Sequence, residues 1–228
     1  MRLIPLSAAL LAAAIIAACG GGGLSVREGL QRMVLQASEL PEGLSAGDES
    51  FTTNDDLAAA SADPGKRKAM LESWGRLLGF EIAYRPSGAA LDELPLQGVN
   101  VSASLYRTEE GASESFADAV ETAEETDWQA NYAGLTDFRQ DEVEAGSLAE
   151  EIVWLRLSGF QPADSGPDSL VTDDLIFFRE GRERGFLRVL AGSTATDDRG
   201  HYQSTVEGWL EALVDNVRDV LPQVEEGE

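Results

Sequence analysis

The residue types that most often carry chemistry are scarce here, and their spacing limits what they can do. The 228-residue chain has one histidine, His201, and one cysteine, Cys19. A histidine-based zinc site needs a second histidine or a cysteine beside it. A serine–histidine–acid triad would have to take its base from His201, yet no G-x-S-x-G elbow supplies the serine. The nearest strings, "LSGF" at 157–160 and "AGST" at 191–194, lack the pattern. His201 follows Gly200 and reads as a surface or capping residue near the start of the last helix. Gly20 to Gly23 have neither a strand before them nor a lysine after them, so they read as a linker rather than a phosphate loop.

Carboxylates are plentiful and often adjacent: Asp55-Asp56, Glu109-Glu110, Glu124-Glu125, Asp173-Asp174 and Asp197-Asp198. General acid–base work needs two carboxylates from different parts of a fold meeting in one cleft. In so acidic a chain, neighbouring acids read as solvated faces. Asp164-Ser165-Gly166-Pro167-Asp168 offers hard oxygen ligands in a loop, which makes Asp164 and Asp168 calcium candidates. The stretch lacks the spaced acids and terminal glutamate of an EF-hand.

Arg179, Arg182, Arg184 and Arg188 form the one basic region. They stand either as a hairpin tip laced with Glu180 and Glu183, or as a docking point where guanidinium forks grip a carboxylate or phosphate. Trp74, Trp128, Trp154 and Trp209, with Phe177, Phe178 and Phe186, supply aromatic bulk for a core, or for a cavity holding an apolar ligand.

Cys19 has a different kind of context. Leu3 to Ala18 is apolar apart from Ser7 and follows Arg2. Sixteen helical residues span about 24 Å, short of the ~30 Å hydrocarbon core of a bilayer, so the run reads as a signal peptide, residues 1–18. Ile16-Ala17-Ala18-Cys19 resembles the lipobox of bacterial lipoproteins. The resemblance implies that Cys19 becomes the first residue of the mature chain and carries lipid on its sulfur, in a cell membrane and facing outside the cytoplasm. Two or more acyl chains make a stable anchor where one does not. Residues 19–24 then form the lipidated cysteine and its glycine tether.

The chain carries 17 Lys+Arg against 41 Asp+Glu, a formal charge of −24; cleavage before Cys19 removes Arg2 and no acid, which leaves −25. That balance excludes nucleic acid as a partner and opposes adsorption to an anionic membrane. It favours a soluble monomer that stands off its membrane. With one cysteine no intrachain disulfide can form, and packing alone must hold the fold. No cofactor motif is present.

The periodicities give an ordered set of elements. Ser25 to Glu28 is an S-x-x-E capping box opening a helix with Leu30, Met33 and Val34 inward, stopped by Pro41. A strand over 44–53 and a polar, alanine-rich loop over 54–63 follow. Asp63 and Pro64 start a second helix that Gly79 closes. Strands over 80–85 and 99–106 alternate cleanly, and a helix with Ala112, Phe116, Val120 and Ala123 on one face comes next. Strands are expected over 135–143 and 149–157, then a loop over 159–169. A hairpin over 170–179 and 185–191 turns on Glu180 to Arg184. "LIFF" at 175–178 has apolar residues on both faces, the mark of a central strand covered on both sides. Val206, Leu210, Leu213, Val217 and Val220 stripe the last helix, which Pro222 ends before an acidic tail over 223–228.

This order predicts an α+β fold: a mostly antiparallel sheet of about six to seven strands covered by helices, in one domain over 25–222. With "LPEGL" at 40–44 and "WGRLLGFEIAY" at 74–84, it resembles the PsbP/Mog1 group of domains, which includes some bacterial lipoproteins. The resemblance implies a non-enzymatic binding or accessory domain; the residues themselves point to an apolar small molecule or an envelope partner as what it binds. The alternative is a carboxylate-dependent hydrolase acting on the cell envelope.

Overall fold

The computed structural model describes residues 23–87, 96–193 and 199–225. The segment read as a signal peptide, Cys19, most of the glycine tether, Asp197-Asp198 and the last three residues of the tail lie outside the described residues. Helices α1 (Val26–Met33), α2 (Asn54–Ala59), α3 (Pro64–Ser73), α4 (Glu109–Glu125), α5 (Trp128–Asn131) and α6 (Arg199–Val220) accompany seven strands. These are β1 (Leu44–Thr52), β2 (Arg76–Pro86), β3 (Leu96–Tyr106), β4 (Thr136–Glu142), β5 (Glu151–Gln161), β6 (Ser169–Glu180) and β7 (Glu183–Ser193). They form one sheet in the order β1-β2-β3-β7-β6-β5-β4, antiparallel at every pairing. The fold is α+β, as the periodicities predict.

Side-chain alternation builds a core on each face. Trp154, Ile176, Phe178, Leu187 and Val189 join Val99, Val101 and Leu105 beneath α1 and α6, whose Leu30, Met33, Leu210, Leu213 and Val217 are buried. Leu155, Leu157 and Leu175 point the other way and pack with Ala123 of α4, beside Trp128, Tyr132, Phe177 and Phe186. The "LIFF" strand β6 is therefore central and covered on both sides. The last helix buries the whole stripe from Val206 to Val220.

The boundaries differ from expectation where side chains cap or kink the chain. Residues 54–59 are helical, not a loop, because Thr53 and Asp56 make a second capping box: Asp56 accepts from Thr53 N at 2.8 Å and Thr53 Oγ1 from Asp56 N at 3.2 Å. Gly79 does not close α3, which ends at Ser73; the turn is made at Gly75, with φ +68°. Gly79 lies inside β2, where its missing Cβ leaves room for a guanidinium described below. Residues 128–131 form a short helix, α5, capped by Asp127. The β6–β7 turn is only Gly181-Arg182, so Glu183 and Arg184 are strand residues paired with Glu180 and Arg179.

The two ends of the described chain meet. Leu24 bridges Val224 in parallel: Leu24 N donates to Gln223 O at 2.7 Å and Glu225 N to Leu24 O at 2.9 Å. Val224 is buried against Gly29 of α1.

Candidate functional site

The α4 side of the sheet is only partly roofed. α4 packs on β3, β7 and β6, and the neighbouring part of β1, β2 and β3 carries an open trough of about 270 Å³. Its outward positions are Asp48 and Ser50 from β1, Glu81 and Ala83 from β2, Asn100 and Ser102 from β3, and Phe186 from β7. Register places them in rows: Ser50 opposite Glu81, Glu81 opposite Ser102, and Ser102 opposite Phe186. The floor residues are small, which is what makes the trough. An irregularity between Ala46 and Glu49 fits Gly47 and Asp48 into the edge strand opposite Ala83.

Polar contacts order the trough. Ser50 Oγ donates to Glu81 Oε1 at 2.8 Å. Arg85 donates from one terminal nitrogen to Asn100 Oδ1 and Tyr84 O, both at 3.1 Å. Asn100 stands opposite Arg188 in the register, and Arg188 opens a buried network. Its guanidinium grips the enclosed Asp173 carboxylate at 2.7 to 3.1 Å, and Tyr132 Oη donates to the same carboxylate. Burial, then the bond to Asp173, pushes the Tyr132 phenol up to about 12. The bond to Asp173 holds the Arg188 guanidinium charged to higher pH than usual.

Asp174 does the same on the opposite face. It accepts from Trp154 Nε1 at 2.8 Å and from Arg156 at 2.7 and 3.1 Å. The Arg156 guanidinium lies 5.4 Å from the Trp154 ring and 5.6 Å from the Tyr202 ring of α6. Burial beside Asp174 pushes the Tyr202 phenol well up. The Asp173-Asp174 pair is thus not a solvated face: both carboxylates are buried, because each has its own arginine. Of the other adjacent acids, Asp55 pairs with Lys68 at 2.6 Å, and Glu109-Glu110 and Glu124-Glu125 are exposed on α4.

A third buried polar group lies where β2, β3 and β7 end. The Arg76 guanidinium rests over Gly79 and donates to Thr52 O, Thr52 Oγ1, Asn54 Oδ1 and Ser104 Oγ at 2.9 to 3.4 Å. Burial lowers its pKa to about 10. Tyr106 Oη shares a 2.6 Å hydrogen bond with Ser115 Oγ of α4, which also accepts from Arg184 at 3.3 Å. Glu183 is fully buried with neither carboxylate oxygen hydrogen-bonded, and burial pushes its pKa well up.

The four hairpin arginines are bound up in the fold. Arg179 holds Glu150 and Glu151 at 2.6 and 2.7 Å. Arg182 donates to Tyr106 O and Val224 O at 3.2 and 3.1 Å. Arg184 reaches Ser115, and Arg188 reaches Asp173. Their guanidiniums seat α4, the C-terminus and α5 on the sheet rather than forming one exposed basic patch. Asp164 and Asp168 lie in the exposed β5–β6 loop, where Asp168 accepts from Ala163 N at 3.1 Å. Among the described residues no three His, Cys, Asp or Glu side chains gather as a metal would need. His201 is exposed in the first turn of α6, its carbonyl accepting from Ser204 and Thr205. Trp74, Trp154 and Trp209 are buried.

Sequence reasoning missed the trough. Its residues register only as the polar halves of β1, β2 and β3; the pairings β1–β2 and β2–β3 make them one surface, and the pairing of β3 with β7, distant in sequence, adds Phe186. No helix among the described residues is long and apolar enough to cross a membrane.

The sequence matches no family model and no curated protein. Among solved structures, the extracellular domain of PknH from Mycobacterium tuberculosis aligns with a TM-score of 0.49 and 12% identity, over 88% of this chain and 100% of that one.

Proposed function

We propose that this chain is an exported, lipid-anchored recognition domain whose ligand surface is the trough on β1, β2, β3 and β7. The observation that supports recognition is the trough itself: small and polar side chains left unroofed beside strands β6 and β7, which are covered on both faces. Support for the anchor comes from Ile16-Ala17-Ala18-Cys19 and the apolar run before it. The tie between Leu24 and Val224 gives that tether a fixed point of departure from the fold.

A carboxylate hydrolase fits less well. The buried acids Asp173 and Asp174 would each have to leave an arginine to act, and Asp48 and Glu81 in the trough are exposed. General acid–base catalysis uses carboxylates tuned by burial.

The test has two arms. Intact-mass spectrometry of the membrane fraction from an expressing bacterium is expected to show loss of residues 1–18 and a lipid adduct that Cys19→Ser removes. Native mass spectrometry of the same preparation is expected to show a bound small molecule that Ala83→Trp, which fills the trough, abolishes. An unprocessed chain overturns the anchor, and a ligand unaffected by Ala83→Trp overturns the trough.

A further inference from the structure

We infer that the trough binds an organic cation, an ammonium or guanidinium group on a short aliphatic stem. This rests on the trough being the ligand surface. The charged side chains lining it are Asp48 and Glu81, both acids and both exposed. Of the arginines at its border, Arg188 is neutralised by Asp173, whereas Arg85 is bound to neutral acceptors, Asn100 and the Tyr84 carbonyl, and keeps its charge. Two lining carboxylates against that one cation leave the local field negative, and the whole chain, at −24, adds to it.

The remaining lining suits the same guest. An ammonium group carries three donors and needs acceptors around it. Glu81 and Asp48 supply charged ones. Ser102, half-buried on the floor, supplies a hydroxyl oxygen. Phe186 is the aromatic in the wall, its ring 5.0 Å from that of Phe177. An aromatic face attracts a cation within about 6 Å, and Ala83 gives an alkyl stem an apolar floor. A volume of about 270 Å³ is at the small end of ligand sites, enough for an amine head and a few methylenes. An anion would meet two carboxylates there.

The experiment is calorimetric titration of the detergent-solubilised full-length chain at about 0.15 M salt, where distant surface charges are screened beyond about 8 Å. Spermidine tests a free polyamine, a trilysine peptide tests a side chain presented by a partner, and glutamate and glucose test other ligand classes. Spermidine or trilysine is expected to bind, about tenfold more weakly to the Asp48→Asn/Glu81→Gln double variant and undetectably to Ala83→Trp. Thermal melts check that both variants stay folded. Cation binding of equal strength in all three proteins is adsorption to an acidic surface and overturns the inference. Glutamate or glucose binding that Ala83→Trp abolishes, with no cation binding, keeps the trough and overturns the cation. No titration signal from either cation also overturns it.

Discussion

Asp173 and Asp174 are adjacent in β6, yet their buried carboxylates serve opposite faces of the sheet. Each is held by an arginine one strand away: Arg188 of β7 at 2.7 Å and Arg156 of β5 at 2.7 Å. The pleat sends successive side chains to opposite sides, so two consecutive acids fasten two layers. Asp173 joins α5 to the sheet through Tyr132. Asp174 joins α6 through Arg156, which also donates to Gln203.

Removing one partner of a buried pair strands the other charge, at a typical cost of about 3–5 kcal/mol. Arg156→Leu is expected to fall in that range, since its side chain is 17% exposed and Asp174 is fully enclosed. Arg188→Leu is expected to cost less, because Arg188 is 39% exposed; each carboxylate keeps one neutral donor, Tyr132 for Asp173 and Trp154 for Asp174. Urea denaturation of the two variants checks the order; equal losses would show that the two fasteners are equivalent.

Glu183 makes stability depend on pH. Its folded pKa lies well above the ordinary value of 4.5 because burial disfavours the carboxylate; Arg184 and the nearby Ser104 backbone amide oppose that shift and Glu180 adds to it. The folded state then binds more protons than the unfolded state above that ordinary value, so stability falls as pH rises. Glu183→Met removes the group while keeping an apolar side chain of similar length. Its urea midpoint relative to wild type is expected to improve steadily as pH rises from about 4. A constant difference across the range would show that Glu183 reaches a hydrogen-bonding partner when ionised.

Gly79 seats the Arg76 guanidinium. A Cβ there would overlap Arg76 and come within 2.6 Å of Thr52 Oγ1. Gly98 lies on the same strand array, but a Cβ there meets the end of the exposed Arg85 side chain at 2.7 Å, which can swing away. Overpacking costs about 1–3 kcal/mol. Gly79→Ala is expected to lower the melting temperature clearly and Gly98→Ala little; the reverse order would mean that Arg76 repositions freely.

Local chemistry made much of the fold legible. The Ser25–Glu28 capping box, the alternation from Val99 to Leu105, and the stripe from Val206 to Val220 each fix an element from residues close in sequence. The matching box at Thr53–Asp56 is harder to read because Asn, Asp and Ala follow it without an apolar stripe, so the segment looks like a loop. Gly79 looks like a helix stop because its true neighbour, Arg76, acts across the strand face. Long-range pairings are the least legible. Nothing local to Asp173 and Asp174 indicates Arg188 and Arg156, and the Phe186 wall of the trough exists only because β3 pairs with β7.

Arg182 ties the β6–β7 turn to Val224 near the end of the described chain. As the tip of a two-residue turn it looks like a solvated charge, and exposed charges contribute little to stability, about 0–1 kcal/mol. Its guanidinium instead donates to the carbonyls of Tyr106 and Val224, and Val224 in turn is paired with Leu24 and packed on Gly29. Replacing Arg182 by serine leaves those carbonyls without their charged donor, and an unsatisfied buried group costs about 1–3 kcal/mol. Deleting residues 223–228 removes Val224 and the partner of Leu24, so it is expected to destabilise as well. Because both changes break the same contact at Val224, their effects should be less than additive. Thermal melts of Arg182→Ser, the truncation and the combination check this; a melting temperature for Arg182→Ser equal to that of wild type would make the residue a solvated turn with no part in closing the chain ends together.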